Sequence, residues 1–280
     1  MNSRIVAKIN TLNLSNAEVW ITEAKFGFRH VKEKIKELPN SSSILEVGCG
    51  SGILLSMLTE EFPQNSYDGI EPLNDVFSLY KELNSLVKGS GIKIEICGYE
   101  DYDSHQTYDL IYCVNVFEHV KDWKHFLHWV SERLNDDGLF FVLCPNYSFP
   151  YESHFFIPVL FNKRTTYRFF KNYIDTFEMD NDYGTSLAGL WDSLNFVKKR
   201  NVIKFIRNNK RMLGLDFNDE VDIVDDLVSR VVDDAEFRKR QVLIGNIALF
   251  MKKIGAFNFV KLFPNFLPYM KLSFRKHRLN

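Results

Sequence analysis

The sequence predicts an α/β fold: a doubly wound, mostly parallel seven-stranded sheet with aromatic and helical cover insertions. Its composition, 280 residues with 45% hydrophobic and 25% charged positions, is that of a globular chain with a sizeable core. Seven short apolar runs are spread along the chain, and the first five alternate with amphipathic stretches. Strand, helix and strand repeated in this way predict parallel strands covered by helices on both faces.

A helix is expected before the sheet. Ser15 followed by Glu18 matches a capping box, and Phe28, Val31 and Ile35 recur at helical spacing before Pro39. We therefore assign residues 1–40 to a helical lead-in.

The next segment, residues 41–146, is predicted to hold five strands and the helices between them. Each strand is a short apolar run, and each helix shows apolar residues three and four positions apart. The expected strands are 44–47, 67–70, 92–96, 110–114 and 139–143, and the expected helices begin at 53 and span 75–87 and 123–134.

The pattern changes after Pro145. Residues 147–195 contain two further prolines and many Phe and Tyr residues without a clear period, so we interpret them as a cover over the sheet. The aromatic rings could stack on a sugar or a flat ring, or fill a small secondary core. Residues 196–280 are expected to complete the core, with a helix at 202–208, strands at 212–217 and 269–274, and a helical insertion at 220–262.

Charge and cysteine usage exclude several classes of protein. The 35 basic and 36 acidic side chains nearly cancel, so we expect no nucleic-acid partner. The four cysteines match neither a zinc spacing nor a small disulfide framework. No signal-peptide core or membrane-spanning run is visible, and the expected location is the cytoplasm.

Local charge is uneven. Residues 216–236 carry nine acids and one arginine, whereas residues 237–280 carry ten Lys or Arg and no acid. The two segments could neutralise each other, which is the interpretation we favour. Alternatively, the basic aromatic C-terminal segment could make a peripheral contact with an anionic membrane.

A glycine-rich turn follows the first strand. Gly48, Gly50 and Gly52 alternate there, and glycine allows the sharp bends and close ligand approach that such a turn needs. A dinucleotide fingerprint would place its third glycine at position 53, which is Ile53. Glu71, 19 residues after Gly52, ends the second strand and could bind both hydroxyls of a ribose. The sequence thus favours an adenosyl ligand over a nicotinamide cofactor.

These motifs resemble those of the class I S-adenosylmethionine-dependent methyltransferases. ILEVGCGSG at 44–52 looks like their first motif and YDGIEP at 67–72 like their acidic second motif. GYEDY at 98–102, YDLIYCVNVFEHV at 108–120 and LNDDGLFFVLCPN at 134–146 follow in the family's order. The resemblance covers residues 40–146 and implies a Rossmann-like methyltransferase that binds S-adenosyl-L-methionine.

The resemblance also implies a cofactor site. It sets the three loop glycines against the methionine part of the cofactor and Glu71 against its ribose. It further implies that Tyr99 and Glu100 contact the adenine and that Asn115 and Val116 line the sulfonium. The full set of expected cofactor-binding residues is Glu46, Gly48, Cys49, Gly50, Gly52, Glu71, Pro72, Tyr99, Glu100, Asn115 and Val116.

Methyl transfer from a sulfonium mainly needs alignment, and a base helps when the acceptor is a hydroxyl. Glu118 and His119 follow the fourth strand, and Glu152 and His154 lie in the cover. The catalytic residues we expect are His154, His119 and Glu152, although His119 could simply cap a helix.

No metal site is expected. Some similar proteins, including quinone O-methyltransferases, hold a divalent metal with an acid-x-x-Glu-His cluster. The first acid is Asn115 here, which leaves Glu118 and His119 with Glu152 or His154 as possible ligands, too weak a set to predict a metal.

The acceptor predicted by resemblance to proteins with large covers is a small molecule, either a saccharide or a glycan precursor, free or lipid-linked. The methylated atom is then a hydroxyl oxygen. Two alternatives stay open: a quinone or lipid-like phenol as the acceptor, and a non-catalytic sensor subunit that only binds S-adenosylmethionine.

Overall fold

One mixed sheet of seven strands organises the fold. The computed structural model describes residues 3–11, 17–72, 92–179, 189–216, 220–233, 242–255, 259 and 262–277. The strands are β1 (Ser43–Val47), β2 (Ser66–Ile70), β3 (Lys93–Glu95), β4 (Tyr108–Val114), β5 (Leu134–Pro145), β6 (Tyr151–Glu152), β7 (Ile157–Pro158), β8 (Gly214–Leu215) and β9 (Tyr269–Arg275). The sheet has the order β3-β2-β1-β4-β5-β9-β8, and β6 and β7 form a separate hairpin.

The first five strands of the sheet run parallel, and β9 lies antiparallel to both β5 and β8. The predicted doubly wound, mostly parallel sheet is therefore confirmed. The helices are α1 (Arg4–Thr11), α2 (Ala17–Lys36), α3 (Ile53–Glu61), α4 (Trp123–Arg133), α5 (Lys163–Met179), α6 (Leu190–Ser193), α7 (Lys199–Asn208), α8 (Glu220–Asp233) and α9 (Val242–Lys253).

Apolar side chains cover both faces of the sheet because neighbouring residues of a strand point to opposite sides. In β5, Leu139, Phe141 and Leu143 pack with α1, α2 and α3 in one cluster. Phe140 and Val142 pack on the opposite face with α4 and α7. Burial on both faces explains why β5 reads as a continuous apolar run.

The main difference from the sequence prediction lies at the start of β5. Leu134, expected at the end of a helix, instead pairs with Tyr108, and the register then shifts so that Leu139 pairs with Leu110. The extra residues form a bulge. Gly138 is required there because a Cβ would stand 2.8 Å from the Asn135 carbonyl oxygen.

Other predictions differ in extent. The helix α1 is an additional element within the lead-in, and β8 occupies only two residues of the predicted strand 212–217. The capping-box residue Ser15 and the predicted helix 75–87 lie outside the described residues. The proposed division of the chain at residues 40, 146 and 195 stays a prediction.

The cover has a core of its own. Phe155, Ile157, Ile174, Trp191 and Leu194 are buried together, with Tyr167, Phe170, Phe177 and Phe196 packed against them. This shows that many of the aromatic residues fill a secondary core, one of the two roles considered for them. Phe161 and Phe169, by contrast, are exposed.

Among the described residues, an ion pair of 3.2 Å joins Asp216 of the acidic segment to Arg275 of the basic segment. Asp226 instead pairs with Arg29 at 2.7 Å and with His30 at 2.9 Å, both on α2. The ion pair between Asp216 and Arg275 agrees with the favoured neutralisation of one segment by the other, and the extent of that neutralisation stays a prediction. No helix among the described residues has the length and apolarity needed to cross a bilayer.

Candidate active site

The glycine turn lies at the carboxyl end of β1 and begins α3. Gly48, Gly50 and Gly52 have φ angles of +74°, +51° and +73°. Residues with a Cβ rarely adopt positive φ angles. Gly48 and Cys49 both donate through their backbone N–H groups to the Ile70 carbonyl at the end of β2. The turn is thus bent tightly across the ends of the two strands, where an open α/β sheet binds ligands.

Glu71 lies directly beside this turn. Its Oε2 accepts a 2.8 Å hydrogen bond from the Gly50 backbone N–H. Burial raises the pKa of Glu71, and the bond from Gly50 opposes the rise. A carboxylate at the end of β2, next to the glycines, fits the ribose of an adenosyl ligand.

Glu46 and Cys49 are turned into the protein. Glu46 accepts a 3.0 Å hydrogen bond from the Tyr112 hydroxyl, and burial raises its pKa to about 8. Cys49 Sγ would lie 2.8 Å from a Cβ on Gly69, so its side chain packs on β2. The side chains of both residues pack in the protein interior next to the turn. Cys49 therefore contributes only its backbone to the surface of the turn.

Asn115 follows β4 in a left-handed conformation with φ +54°. Its Nδ2 lies 3.4 Å from Glu23 Oε2 on α2, while its buried Oδ1 has no recorded partner in the described chain. Glu23 also binds the buried Arg230 of α8 at 2.6 Å. An unsatisfied amide oxygen next to the glycine turn is consistent with a polar ligand binding there.

The remaining expected cofactor residues lie at the edge of the same region. Tyr99 is buried, its ring packs against Phe126 and Trp129 at 4.9 and 5.6 Å, and its hydroxyl lies 3.3 Å from His125 Nδ1. Glu100 and Pro72 are exposed. The core packing of Tyr99 explains its position without a ligand. Contact of Tyr99 and Glu100 with the adenine, and of Pro72 with the cofactor, stays a prediction.

A second group of polar side chains lies just beyond Asn115. Residues Phe117–His119 form a single 3-10 turn after β4. Glu118 is completely buried, and neither carboxylate oxygen has a recorded hydrogen-bond partner in the described chain. His119 Nε2 lies 3.9 Å from Glu118 Oε1, and the His119 ring lies 5.2 Å from the His154 ring.

Both imidazoles are held through Nδ1. His154 Nδ1 lies 2.6 Å from Glu152 Oε1, and His119 Nδ1 lies 2.8 Å from Ser193 Oγ. The buried Glu152 also accepts hydrogen bonds from the Tyr147 hydroxyl and the Phe155 backbone N–H. The hairpin β6–β7 thereby brings Glu152 and His154 next to the turn that follows β4.

The charges in this cluster are coupled. Burial raises the pKa of Glu118 to about 7, and His154 opposes the rise. Desolvation, with His154 adding to it, lowers the pKa of His119 to about 3, so this ring is neutral at pH 7. Desolvation alone would lower the pKa of His154, but Glu152 and Glu118 outweigh it and raise that pKa. The pKa of Glu152 is lowered because His154 outweighs the effect of burial.

The cluster unites the three expected catalytic residues and adds others. One ligand atom each from Glu118, His119 and His154 lies within 4.8 Å of the others, a separation that a cation could bridge. The sequence pointed to Glu118 through its position beside His119, but the expected catalytic set left it out. Nothing in the sequence indicates Ser193 or Glu23, which lie 74 and 92 residues from their partners.

Comparisons with known proteins identify the family. A family model described as a methyltransferase domain matches residues 24–204. An uncharacterised protein of Mycobacterium tuberculosis is 31% identical over 224 residues, covering 78% of this chain and 73% of that protein. A ubiquinone biosynthesis O-methyltransferase of Rickettsia bellii is 28% identical over 140 residues, or 45% of this chain and 57% of that enzyme.

Solved structures share the fold. An enzyme of Galdieria sulphuraria provisionally named a sarcosine dimethylglycine methyltransferase aligns with a TM-score of 0.51 at 14% identity, covering 91% of this chain and 85% of that one. A phosphoethanolamine N-methyltransferase 2 of Haemonchus contortus, in complex with S-adenosyl-L-methionine, aligns with a TM-score of 0.50 at 12% identity, covering 86% of this chain and 50% of that one. From the family match and the glycine turn with its acidic partner, we conclude that the chain belongs to the class I methyltransferases and uses S-adenosylmethionine as its cofactor.

Proposed function

We propose that this methyltransferase methylates a hydroxyl group of a small saccharide or glycan precursor. The observation that carries the proposal is the buried Glu118 carboxylate, which lies beside two imidazoles and whose oxygens accept no side-chain hydrogen bond from the residues that the structure describes. Burying a carboxylate without a partner destabilises a fold by several kcal/mol as a rough guide. Such a cost points to a role in the reaction rather than in stability.

His154 is the proton acceptor in this proposal. Glu152 holds Nδ1, so the neutral ring presents Nε2 to the acceptor hydroxyl, the arrangement that orients a general base in many hydrolases. When His154 takes the proton it becomes an imidazolium, and the nearby Glu118 stabilises that positive charge. His119, held by Ser193, is a neutral donor or acceptor for the same hydroxyl.

The reaction is an in-line displacement. S-adenosylmethionine supplies a methyl group activated by its sulfonium and is converted to S-adenosylhomocysteine. The acceptor oxygen forms the new O–C bond as the S–C bond breaks, and the hydroxyl proton passes to His154. The glycine turn and Val116 align the two reactants, because Val116 packs directly on Gly48.

The polar character of the cluster supports a saccharide. Glu118, His119, His154 and Ser193 place several hydrogen-bonding groups within one small region. A sugar offers neighbouring hydroxyls to such groups, whereas a flat phenol needs few of them. The stacked pair Tyr147 and Phe196 borders this region, because the Tyr147 hydroxyl donates a hydrogen bond to Glu152.

A quinone or lipid-like phenol is the second candidate, because a ubiquinone biosynthesis O-methyltransferase is among the relatives. A sensor that binds the cofactor without turnover is a third candidate. The coclaurine N-methyltransferase of Papaver somniferum, 25% identical over 126 residues, adds amines to the acceptors worth testing.

An acceptor panel decides between these candidates. The purified chain is incubated with S-adenosylmethionine carrying a labelled methyl group and with methyl glycosides, nucleotide sugars, catechols or amines. Label in a sugar, with S-adenosylhomocysteine formed in equal amount, supports the proposal. Label in catechols or amines alone contradicts it, and cofactor binding without turnover on extracted cellular glycans and lipids indicates a sensor. Repeating each arm with a chelator or with added Mg²⁺, Mn²⁺ or Zn²⁺ shows whether a cation takes part.

A further inference from the structure

Exposed apolar side chains are concentrated in one part of the chain. Within the described residues, twelve large hydrophobic side chains are exposed, and eight of them fall between residues 247 and 266. We call this stretch the aromatic-basic segment. The eight are Ile247, Leu249, Phe250, Ile254, Phe259, Leu262, Phe263 and Phe266.

The helix α9 explains part of this exposure. Ile247, Phe250 and Ile254 are three and four residues apart and therefore line one side of the helix. Gly245 and Ala248 are less exposed and lie on the opposite side, towards the packing of α9 on α8. The small residues thus pack on the protein, and the large apolar side chains, with Phe250 63% exposed, are left in contact with solvent. Exposed apolar surface of this extent usually marks an interaction site.

Positive charge lies at the C-terminal end of this helix. Lys252 and Lys253 end α9, and no ion pair is recorded for either within the described chain. The sequence from 237 to 280 contains no acid that could offset them. Large apolar side chains that enter the acyl region, with lysines at the level of the headgroups, are the features of a segment that lies on an anionic membrane.

A second copy of the chain fits this surface less well. A symmetric contact through the same face would bring Lys252 and Lys253 of each copy near those of the other, with no acid in the segment to compensate. Lysine is also depleted from the cores of protein interfaces. We propose that the aromatic-basic segment binds the surface of an anionic phospholipid bilayer, lying in the interface without crossing it.

This proposal does not depend on the identity of the acceptor proposed above. It predicts that the reaction takes place at the membrane surface. The Glu118 cluster and the aromatic-basic segment belong to one chain, so a membrane-bound enzyme meets acceptors carried on a lipid at the bilayer surface.

The test is cosedimentation of the full chain with vesicles. Phosphatidylcholine vesicles containing phosphatidylglycerol are compared with vesicles of phosphatidylcholine alone, at low and high salt. The parent should bind the anionic vesicles and bind them more weakly in high salt. The double variants Phe250→Glu/Phe263→Glu and Lys252→Glu/Lys253→Glu should each reduce binding by about tenfold or more.

Matched controls lie elsewhere on the surface. Phe161→Glu/Phe169→Glu changes two exposed aromatic residues of the cover, and Lys204→Glu/Lys210→Glu changes two exposed lysines at α7. Both controls should bind vesicles like the parent, and calorimetry with S-adenosylhomocysteine confirms that every variant is folded.

Three outcomes overturn the proposal. The parent may fail to sediment with anionic vesicles, or the control variants may lose binding as strongly as the test variants. Alternatively, the protein alone is a dimer that Phe250→Glu/Phe263→Glu dissociates, which makes this face an interface between copies. None of these outcomes affects the acceptor panel, so failure here is distinct from failure of the proposed function.

Discussion

A Cβ placed on Gly48 would stand 2.3 Å from Cγ2 of Val116, so the glycine turn after β1 and the segment after β4 are in direct contact. Glu118 lies two residues beyond Val116, in the turn that carries the acid–base cluster. The turn that we expect to bind the cofactor and the cluster that we propose to meet the acceptor are therefore connected through Val116. A substitution in the glycine turn should therefore also affect the cluster around Glu118.

The contact can be tested by substitution. Gly48→Ala should weaken cofactor binding and lower the melting temperature, because φ +74° costs a residue with a Cβ about 1–2 kcal/mol and the new methyl group meets Val116. Val116→Ala removes the two closest atoms, so Gly48→Ala/Val116→Ala should recover part of the stability. Calorimetry with S-adenosylhomocysteine and thermal unfolding measure both effects. Unchanged binding by Gly48→Ala would show that the contact is not required.

Glu71 should hold the ribose of the cofactor. Glu71→Ala is expected to weaken binding of S-adenosylhomocysteine by about 2–3 kcal/mol, the scale of hydrogen bonds to a charged group. Isothermal titration calorimetry measures the change, with the exposed Glu61→Ala as control. NAD should bind neither form, and stabilisation of the parent by NAD instead of S-adenosylhomocysteine would refute the ribose assignment.

His154 should control the pH dependence of turnover. The base must be neutral to accept a proton, and its pKa is raised above 6.5, so kcat/KM should fall as the pH drops through this raised pKa. His154→Ala should reduce turnover by roughly 10²- to 10⁴-fold while leaving cofactor affinity unchanged. A merely structural His154 would lower the melting temperature and leave turnover per folded molecule intact.

Replacing the Glu118 carboxylate should lower activity but raise the stability of the fold at alkaline pH. Its pKa is raised from 4.5 to about 7, so the folded state is penalised above pH 4.5, and the penalty is complete above pH 7. Glu118→Gln should therefore stabilise the fold at pH 8 by on the order of 2–3 kcal/mol relative to its effect at pH 4. Turnover should fall, and its acidic limb should move to lower pH because the charge that supports the His154 imidazolium is gone. Loss of stability at both pH values would indicate that Glu118 serves the fold.

Asp226 should stabilise the docking of α8 on α2 in a pH-dependent way. Burial would raise the pKa of Asp226, but the hydrogen bonds from His30 and Arg29 outweigh it and the pKa is lowered. A lowered pKa contributes stability above the unfolded value of about 3.9, and this contribution is lost as the pH falls through the folded value. Asp226→Asn should thus cost about 1–2 kcal/mol at pH 7 and nearly nothing at pH 2 to 3 in urea unfolding. An equal cost at both pH values would contradict the ion-pair explanation.

The sequence was sufficient for those parts of the fold that depend on local signals. The five parallel strands were found because each is a short apolar run, and the turn after β1 because alternating glycines are rare elsewhere. The start of β5 was assigned wrongly because Leu134 continues the helical spacing of α4. Its pairing with Tyr108 of β4 depends on a bulge within β5, which the helical spacing does not reveal.

The residues of the candidate site could also be predicted only where local signals indicate them. Glu152 and His154 could be singled out by their position after a strand that ends at the ligand side of the sheet. Their hydrogen bond, and the approach of His154 to His119, depend on the hairpin β6–β7 and are not encoded in any spacing. Tyr99 shows the limit of a motif position: its ring packs against Phe126 and Trp129, and the predicted contact with the adenine stays a prediction.

The position of β9 has a consequence for how the protein is made. Residues 269–275 pair with the whole apolar length of β5 and also provide the edge on which β8 forms. Until these residues have left the ribosome, β5 presents an unpaired apolar edge to the cell, more than 120 residues after it was synthesised. During that interval the unpaired edge of the nascent chain is open to pairing with other strands and to aggregation.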